Sequence, residues 1–286
     1  HLEEPRVGQS YPNFYAAQLA SKFVKVVLAG TGGDELFAGY PWRYFRVAEP
    51  QSFESFIDSY YVYWQRLVSN SELRAIFSPV FSEVEGVWTR DIFSQVFPDT
   101  LRKEVSGASE FINLSLYLES KTFLQGLLTI EDKLSMAHGL ETRVPMLDND
   151  LVDFSMELPV SLKLRIEEGS CRIDENAPGS KSAQHFAQTG NGKLIFREVA
   201  ARFAPIEVSE GPKRGFSAPD GSWFRGESID FLNGTILDPR SPIYEILDMK
   251  SVSALIQQHT SGERNRRLLA WSLLSLHEFL TIFEPS

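Results

Sequence analysis

The 286 residues are 43% hydrophobic and 23% charged, the balance of an ordinary globular protein, and a chain of this length can bury roughly three-quarters of its unfolded surface. Global disorder is excluded. Twenty-eight basic against 38 acidic residues give a formal charge of -10, so no net basic field exists to collect nucleic-acid phosphates, and a general DNA or RNA binder is excluded too.

No run approaches the roughly 18 apolar residues of a membrane span. The first ten residues carry no cationic segment leading into an apolar core, so no signal peptide is read there. The single cysteine, Cys171, permits neither an internal disulfide nor a cysteine-built zinc site, which fits a reducing, cytoplasmic setting. A chain that opens on His1 rather than methionine reads as a fragment of a longer product.

In chain order, Tyr11, Tyr15, Leu19 and Phe23 recur every fourth residue and predict an amphipathic helix over 11–23. A short β-branched run, Val24 to Ala29, follows at once and ends at Gly30. A helix feeding a strand suggests a parallel α/β sheet. Only one such strand is evident, so its neighbours are expected upstream of residue 1 or from elsewhere. Helices are expected at 51–69, 109–124, 126–138, 148–157, 191–203, 248–259 and 263–283. In the last, Leu269, Leu273, Leu276, Leu280 and Phe283 form an apolar stripe that reads as core. Residues 167–190 lack apolar periodicity and read as a long surface excursion.

Directly after the strand comes Leu28-Ala-Gly-Thr-Gly-Gly-Asp34-Glu35-Leu-Phe-Ala-Gly39-Tyr40. Ligands in open α/β sheets sit at the carboxyl ends of strands, and clustered glycines let backbone N–H groups approach an anion. Asp34 and Glu35 would then offer oxygen ligands to a hard cation such as Mg2+. On spacing alone, a glycine turn with a solvated acidic pair stays open. The dinucleotide fingerprint fails at Glu35, no Walker frame surrounds Lys193, and neither H-E-x-x-H nor G-x-S-x-G occurs.

A second constellation runs from Ile130 to Asp148 and holds Glu131, Asp132, Lys133, His138, Glu141, Arg143 and Asp148. Here Glu141, Arg143 and Asp148 read as a structural ion network in which Arg143 holds Asp148, and His138 as a core histidine. The third is Gly211-Pro-Lys213-Arg-Gly-Phe-Ser-Ala-Pro219, a basic pair between turn residues. Lys213 could reach a phosphate from that loop, or simply be solvated.

These stretches together resemble the synthetase domain of the glutamine-hydrolysing asparagine synthetase family, relatives of the ATP pyrophosphatases. The markers are VVLAGTGGDELFAGYPWRYF from Val26, EDKLSMAHGLETRVPMLDNDLVDF from Glu131, GKLIFRE from Gly192 and KRGFSAPDGSWFRGES from Lys213, which together cover nearly the whole chain. The resemblance implies an α/β, ATP pyrophosphatase-like parallel sheet, here truncated, with a mainly helical remainder, and residues 1–286 forming the C-terminal portion of one synthetase domain. It implies ATP and Mg2+ as cofactors. ATP would adenylate aspartate, and ammonia from a separate glutaminase domain would displace AMP to give asparagine.

By position, Asp34 resembles the Mg2+-binding aspartate. Gly30, Thr31, Gly32, Gly33 and Asp132 resemble the substrate and ATP pocket, and Lys213 the lysine that steadies charge during acyl transfer. The family's serine- and glycine-rich pyrophosphate loop and N-terminal cysteine nucleophile are not in this sequence, so the chain alone is not expected to complete the reaction. Thr31 stands where the family commonly has an acidic residue and β-lactam-forming relatives a tyrosine. That keeps open a different carboxylate (sugar acid amidation or β-lactam-type ring closure) or a non-catalytic scaffold. Small-molecule substrates and a homodimer fit this reading; nucleic acid and membrane do not.

Overall fold

The structure, a computed structural model, describes residues 1–5, 10–45, 52–65, 67–102, 105, 107–166, 191–211, 226 and 228–283. Helix α1 (Tyr11–Ala20) leads into strand β1 (Val26–Leu28), but it stops short of Phe23, and Tyr15, Leu19 and Phe23 of the expected apolar face are exposed while Ala17 is buried. Past the glycine loop come two one-turn helices, α2 (Gly33–Leu36) and α3 (Pro41–Tyr44). Helix α4 (Phe53–Trp64) opens on a reciprocal cap in which the Ser55 N–H donates to Ser52 Oγ at 3.2 Å and the Ser52 N–H to Ser55 Oγ at 3.0 Å. Such caps satisfy N–H groups that the first turn leaves without partners.

Four short helices follow, α5 (Asn70–Ile76), α6 (Phe81–Val84), α7 (Thr89–Gln95) and α8 (Asp99–Arg102). Helix α9 (Ala108–Leu118) passes through a π-turn, Glu119–Phe123, into α10 (Leu124–Met136). Beyond β2 (Glu141–Arg143) come α11 (Asn149–Glu157), α12 (Val160–Lys163), α13 (Leu194–Ala200), α14 (Ile206–Ser209), α15 (Ile229–Ile236), α16 (Met249–Thr260) and α17 (Arg267–Phe283). The expected excursion at 167–190, Cys171 and Lys213 lie outside the described residues.

Two expectations are corrected. Strand β1 finds a neighbour within the chain: it pairs in parallel with β2, Val26 opposite Glu141 and Leu28 opposite Arg143. Arg143 also does not hold Asp148. Residues two apart on a strand share a face, so Arg143 Nη2 reaches Glu141 at 2.7 Å, while Asp148 Oδ1 accepts from the Asp150 N–H at 3.1 Å and caps α11. The result is a mostly helical α/β protein with a small parallel sheet.

One core packs α4 against α9 through the rings of Phe56, Tyr60, Phe97 and Phe111. A second joins α15, α16 and α17 through Leu232, Ile236, Ile256 and Leu273. A third, small cluster of Leu36, Phe37 and Leu158 lies behind the glycine loop and anchors it. Leu164 forms an antiparallel bridge with Gly192, and the Arg165 N–H donates to the Asn191 carbonyl at 2.8 Å.

Candidate active site

The loop Gly30–Gly33 leaves the carboxyl end of β1, where the Ala29 N–H still bonds the Arg143 carbonyl at 2.8 Å. Gly32 sits at φ 96°, a conformation that side chains rarely adopt, and a Cβ there would run into Leu147. Asp34 sits in the first turn of the short helix that follows. A Cβ at Gly39 would collide with the Asp34 carboxylate, so the absence of a side chain at Gly39 makes room for it.

The acidic pair divides. Asp34 Oδ1 meets Lys193 Nζ at 2.6 Å, and both side chains remain partly accessible. Lys193 comes from the Gly192-Lys193 step before α13. Gly192 lies against the Ala38 carbonyl too closely for any side chain, and the Lys193 N–H donates to the Phe37 carbonyl at 2.9 Å. Glu35 turns inward instead. It is 2% exposed and accepts from the Tyr40 hydroxyl at 2.9 Å. Burial raises its carboxyl above the usual range, and the Tyr40 hydrogen bond only partly offsets this. The expectation that Asp34 and Glu35 both ligate a cation is corrected: Asp34 stays partly accessible, and Glu35 belongs to the interior.

Thr31 Oγ1 donates to Glu131 Oε2 of α10 at 2.6 Å, which closes the loop against the second constellation. Asp132, the neighbour of Glu131, stands on the exposed side of α10. Lys133 ties the N-terminus down, its Nζ bonding the Leu2 carbonyl at 2.7 Å and Glu3 at 3.0 Å. Behind the loop a buried network runs inward from Tyr40. Its ring lies 3.8 Å beneath the Arg43 guanidinium, and Arg43 Nη1 lies 3.4 Å from Glu119 Oε1. Glu119 also accepts from the Tyr44 and Tyr60 hydroxyls at 2.9 and 2.7 Å. A family model for asparagine synthase matches residues 1–281.

The chain belongs to the asparagine synthase family. It is 24% identical over 316 residues to a putative glutamine-hydrolysing asparagine synthetase of Mycobacterium tuberculosis, an overlap that covers 99% of this chain and 43% of that protein. Against glutamine-hydrolysing asparagine synthetase 1 of Bacillus subtilis it is 24% identical over 311 residues, covering 96% of this chain and 43% of that protein. A putative glutamine-hydrolysing asparagine synthetase 1 of Methanocaldococcus jannaschii is 23% identical over 219 residues, covering 73% and 30%. The chain thus spans less than half the length of these relatives.

In this asparagine synthase family member the loop Gly30–Gly33, Asp34 and α10 meet, and the meeting residues include two that the sequence did not single out. Lys193 follows Gly192 in a stretch whose spacing gives it no Walker frame. Glu131 was one charge among several in its constellation. Among the described residues the donor set at Asp34 is a single partly accessible carboxylate. Mg2+ commonly takes one or two carboxylates and fills its octahedron with water and phosphate oxygens, so Asp34 fits such an ion, with Lys193 as a cation that must share it.

Proposed function

We propose that the chain is the C-terminal part of an ATP-dependent amidotransferase that adenylates aspartate and passes glutamine-derived ammonia to it, releasing AMP and pyrophosphate. The observation that carries this is the pairing of Asp34 with Lys193 at the mouth of a glycine loop, inside a chain matched almost throughout by the asparagine synthase family. An acid and a base side by side suit a site that must hold both a metal ion and phosphates. When bound, Mg2+ would shield phosphate charge, and Asp34 is the residue to hold it.

In the first step a substrate carboxylate oxygen bonds to the α-phosphorus and pyrophosphate leaves. Lys193, beside Asp34, would face that phosphate charge. Gly30, Thr31, Gly32, Gly33 and Asp132 would bind the substrate and ATP. In the second step the ammonia nitrogen bonds to the acyl carbon, a proton is lost, and AMP leaves with the carbon–oxygen bond electrons. Glu131, held by Thr31, is the carboxylate to take that proton, a role threonine cannot fill at neutral pH. Lys213 would steady the oxyanion.

The relatives' names supply asparagine as the product. A second reading, adenylation of another carboxylate, is favoured by Thr31 itself, whose hydroxyl engages Glu131 and adds no charge to the pocket. ATP–pyrophosphate exchange by the full-length protein, run with aspartate and with sugar acids and β-amino acids, tests both. Exchange dependent on aspartate supports the first reading, exchange dependent only on another acid supports the second, and no exchange with any carboxylate sinks both.

A further inference from the structure

Helices α9 and α10 are one continuous rod interrupted by the wide turn at Glu119–Phe123, where the Leu124 N–H donates to the Glu119 carbonyl five residues back. Such turns absorb one extra residue into an α-helix, at a cost in regularity that generally has a local reason. Glu119 and Glu131 would stand about 120° apart around an unbroken helix at about 100° per residue, whereas absorbing one residue brings them to within about 20°. Both carboxylates do reach the one segment that runs from Thr31 to Tyr44. Glu119 holds Arg43, which covers Tyr40, the partner of Glu35. Glu131 holds Thr31. Phe123, at the far end of the turn, lies 4.7 Å beneath the same guanidinium and 6.1 Å from the Tyr40 ring.

We propose that the π-turn is a register device. It turns two carboxylates of one helix to one face, so that the helix anchors the Asp34–Glu35 segment through Glu119 while it delivers Glu131 to the glycine loop. Glu119 is then a positioning residue. This rests on the reading of Glu131 as part of the active site.

The device makes an uncommon prediction about deletions. Removing Lys121, an exposed residue of the turn, leaves Glu119 and Glu131 about 11 plain α-helical steps apart and therefore still in phase. Inserting an alanine after Lys121 puts them out of phase unless a second residue is absorbed. In the full-length protein the Lys121 deletion should turn over within about threefold of the parent, and the insertion should lose about a hundredfold or more in kcat. Glu119→Gln, which keeps one oxygen to accept a tyrosine hydroxyl, turns the other position into a donor and removes the charge that holds Arg43, should lower kcat about tenfold with KM for ATP within about twofold. A purely structural role for Glu119 would instead lower the Tm and leave kcat per folded molecule unchanged.

Glu131→Gln separates the two readings. If it turns over like the parent, the role given to Glu131 fails whatever the turn does. If it is inactive and the Lys121 deletion is equally inactive at the parent's Tm, the register proposal is overturned. Should the Lys121 deletion not fold, deletion of exposed Gln125 in the same interval replaces it, and failure of both to fold overturns the proposal as well.

Discussion

Asp34 owes its position to what its neighbours lack: no side chain at Gly39 to displace it, and none at Gly192 to push Lys193 away. Asp34→Asn should keep the fold, weaken the hold on Lys193 and steeply raise the Mg2+ needed for exchange. A Mg2+ dependence identical to the parent's would remove Asp34 from the site. Lys213→Met should abolish amide formation while ATP still binds, a loss of about a hundred- to thousandfold if the amine stabilises developing charge. Lys213→Arg should recover only part, because guanidinium is planar and larger. Turnover of Lys213→Met within a few-fold of the parent would make it an ordinary loop lysine.

Lys163 poses a different question. It is 2% exposed, and burial pushes its amine down to about 8. The unfolded chain keeps that proton to about pH 10.4, so the charged amine penalises the fold by about 3 kcal/mol below pH 8. The penalty fades as pH rises from 8 and is gone above the unfolded value. Lys163→Met should therefore raise the urea midpoint at pH 7 and not at pH 10.5. An equal gain at both pH values would mean that the charge is not the cause.

At the scale of elements, legibility followed length. The stripe that ends in Phe283 and the periodic run into Met136 were readable because each spans several turns. Strand β2 is three polar residues, Glu141–Arg143, too short and too charged to show alternation, and it exists because β1 offers it a ladder. The one-turn helices α2 and α3 carry no period at all, and α15 was missed because Asn233, Gly234 and Thr235 dilute its pattern. In the site, Asp34 was legible from its local motif. Its contact with Lys193 was not, since that contact spans 159 residues, the difference between positions 193 and 34.

Strand β1 still presents apolar side chains outward, with Leu28 76% exposed. Exposed apolar strands invite association between chains. Val26→Lys sets an ammonium opposite Glu141 in the observed register, and should reduce light scattering from concentrated solutions of this chain. Unchanged scattering would show that β1 is not where the copies meet.

Across the whole molecule, the C-terminal helices are tied to the earlier chain by a few long-range contacts. Arg266 reaches Glu72 of α5, with Nη1 at 3.3 Å from Oε2, and the Tyr11 ring stacks on Trp271 at 5.4 Å. Burial pushes the Glu72 carboxyl up, but hydrogen bonds from Arg266 and Ser69 outweigh it and hold the group down at about 2. A depressed carboxyl stabilises fully above its unfolded value near 4.3. That contribution drains away as pH falls toward 2. The Tm should drop across this window, and Glu72→Gln should lower the Tm at neutral pH while flattening the acid decline. An unaltered acid slope would place the sensitivity elsewhere.

The bridge between Leu164 and Gly192, with its companion bond from Arg165 to Asn191, pinches the chain shut on either side of residues 167–190. The Lys193 N–H is held by the Phe37 carbonyl, and Gly192 before it lies against Ala38. Lengthening a closed loop costs little, about 0.6 kcal/mol for each doubling. The anchors of Lys193 that the structure describes lie outside the interval. A variant with a foreign sequence spliced between Ile166 and Asn191 is then expected to keep the amine beside Asp34, and a changed Mg2+ dependence of exchange in that variant would show that the interval itself helps to hold Lys193.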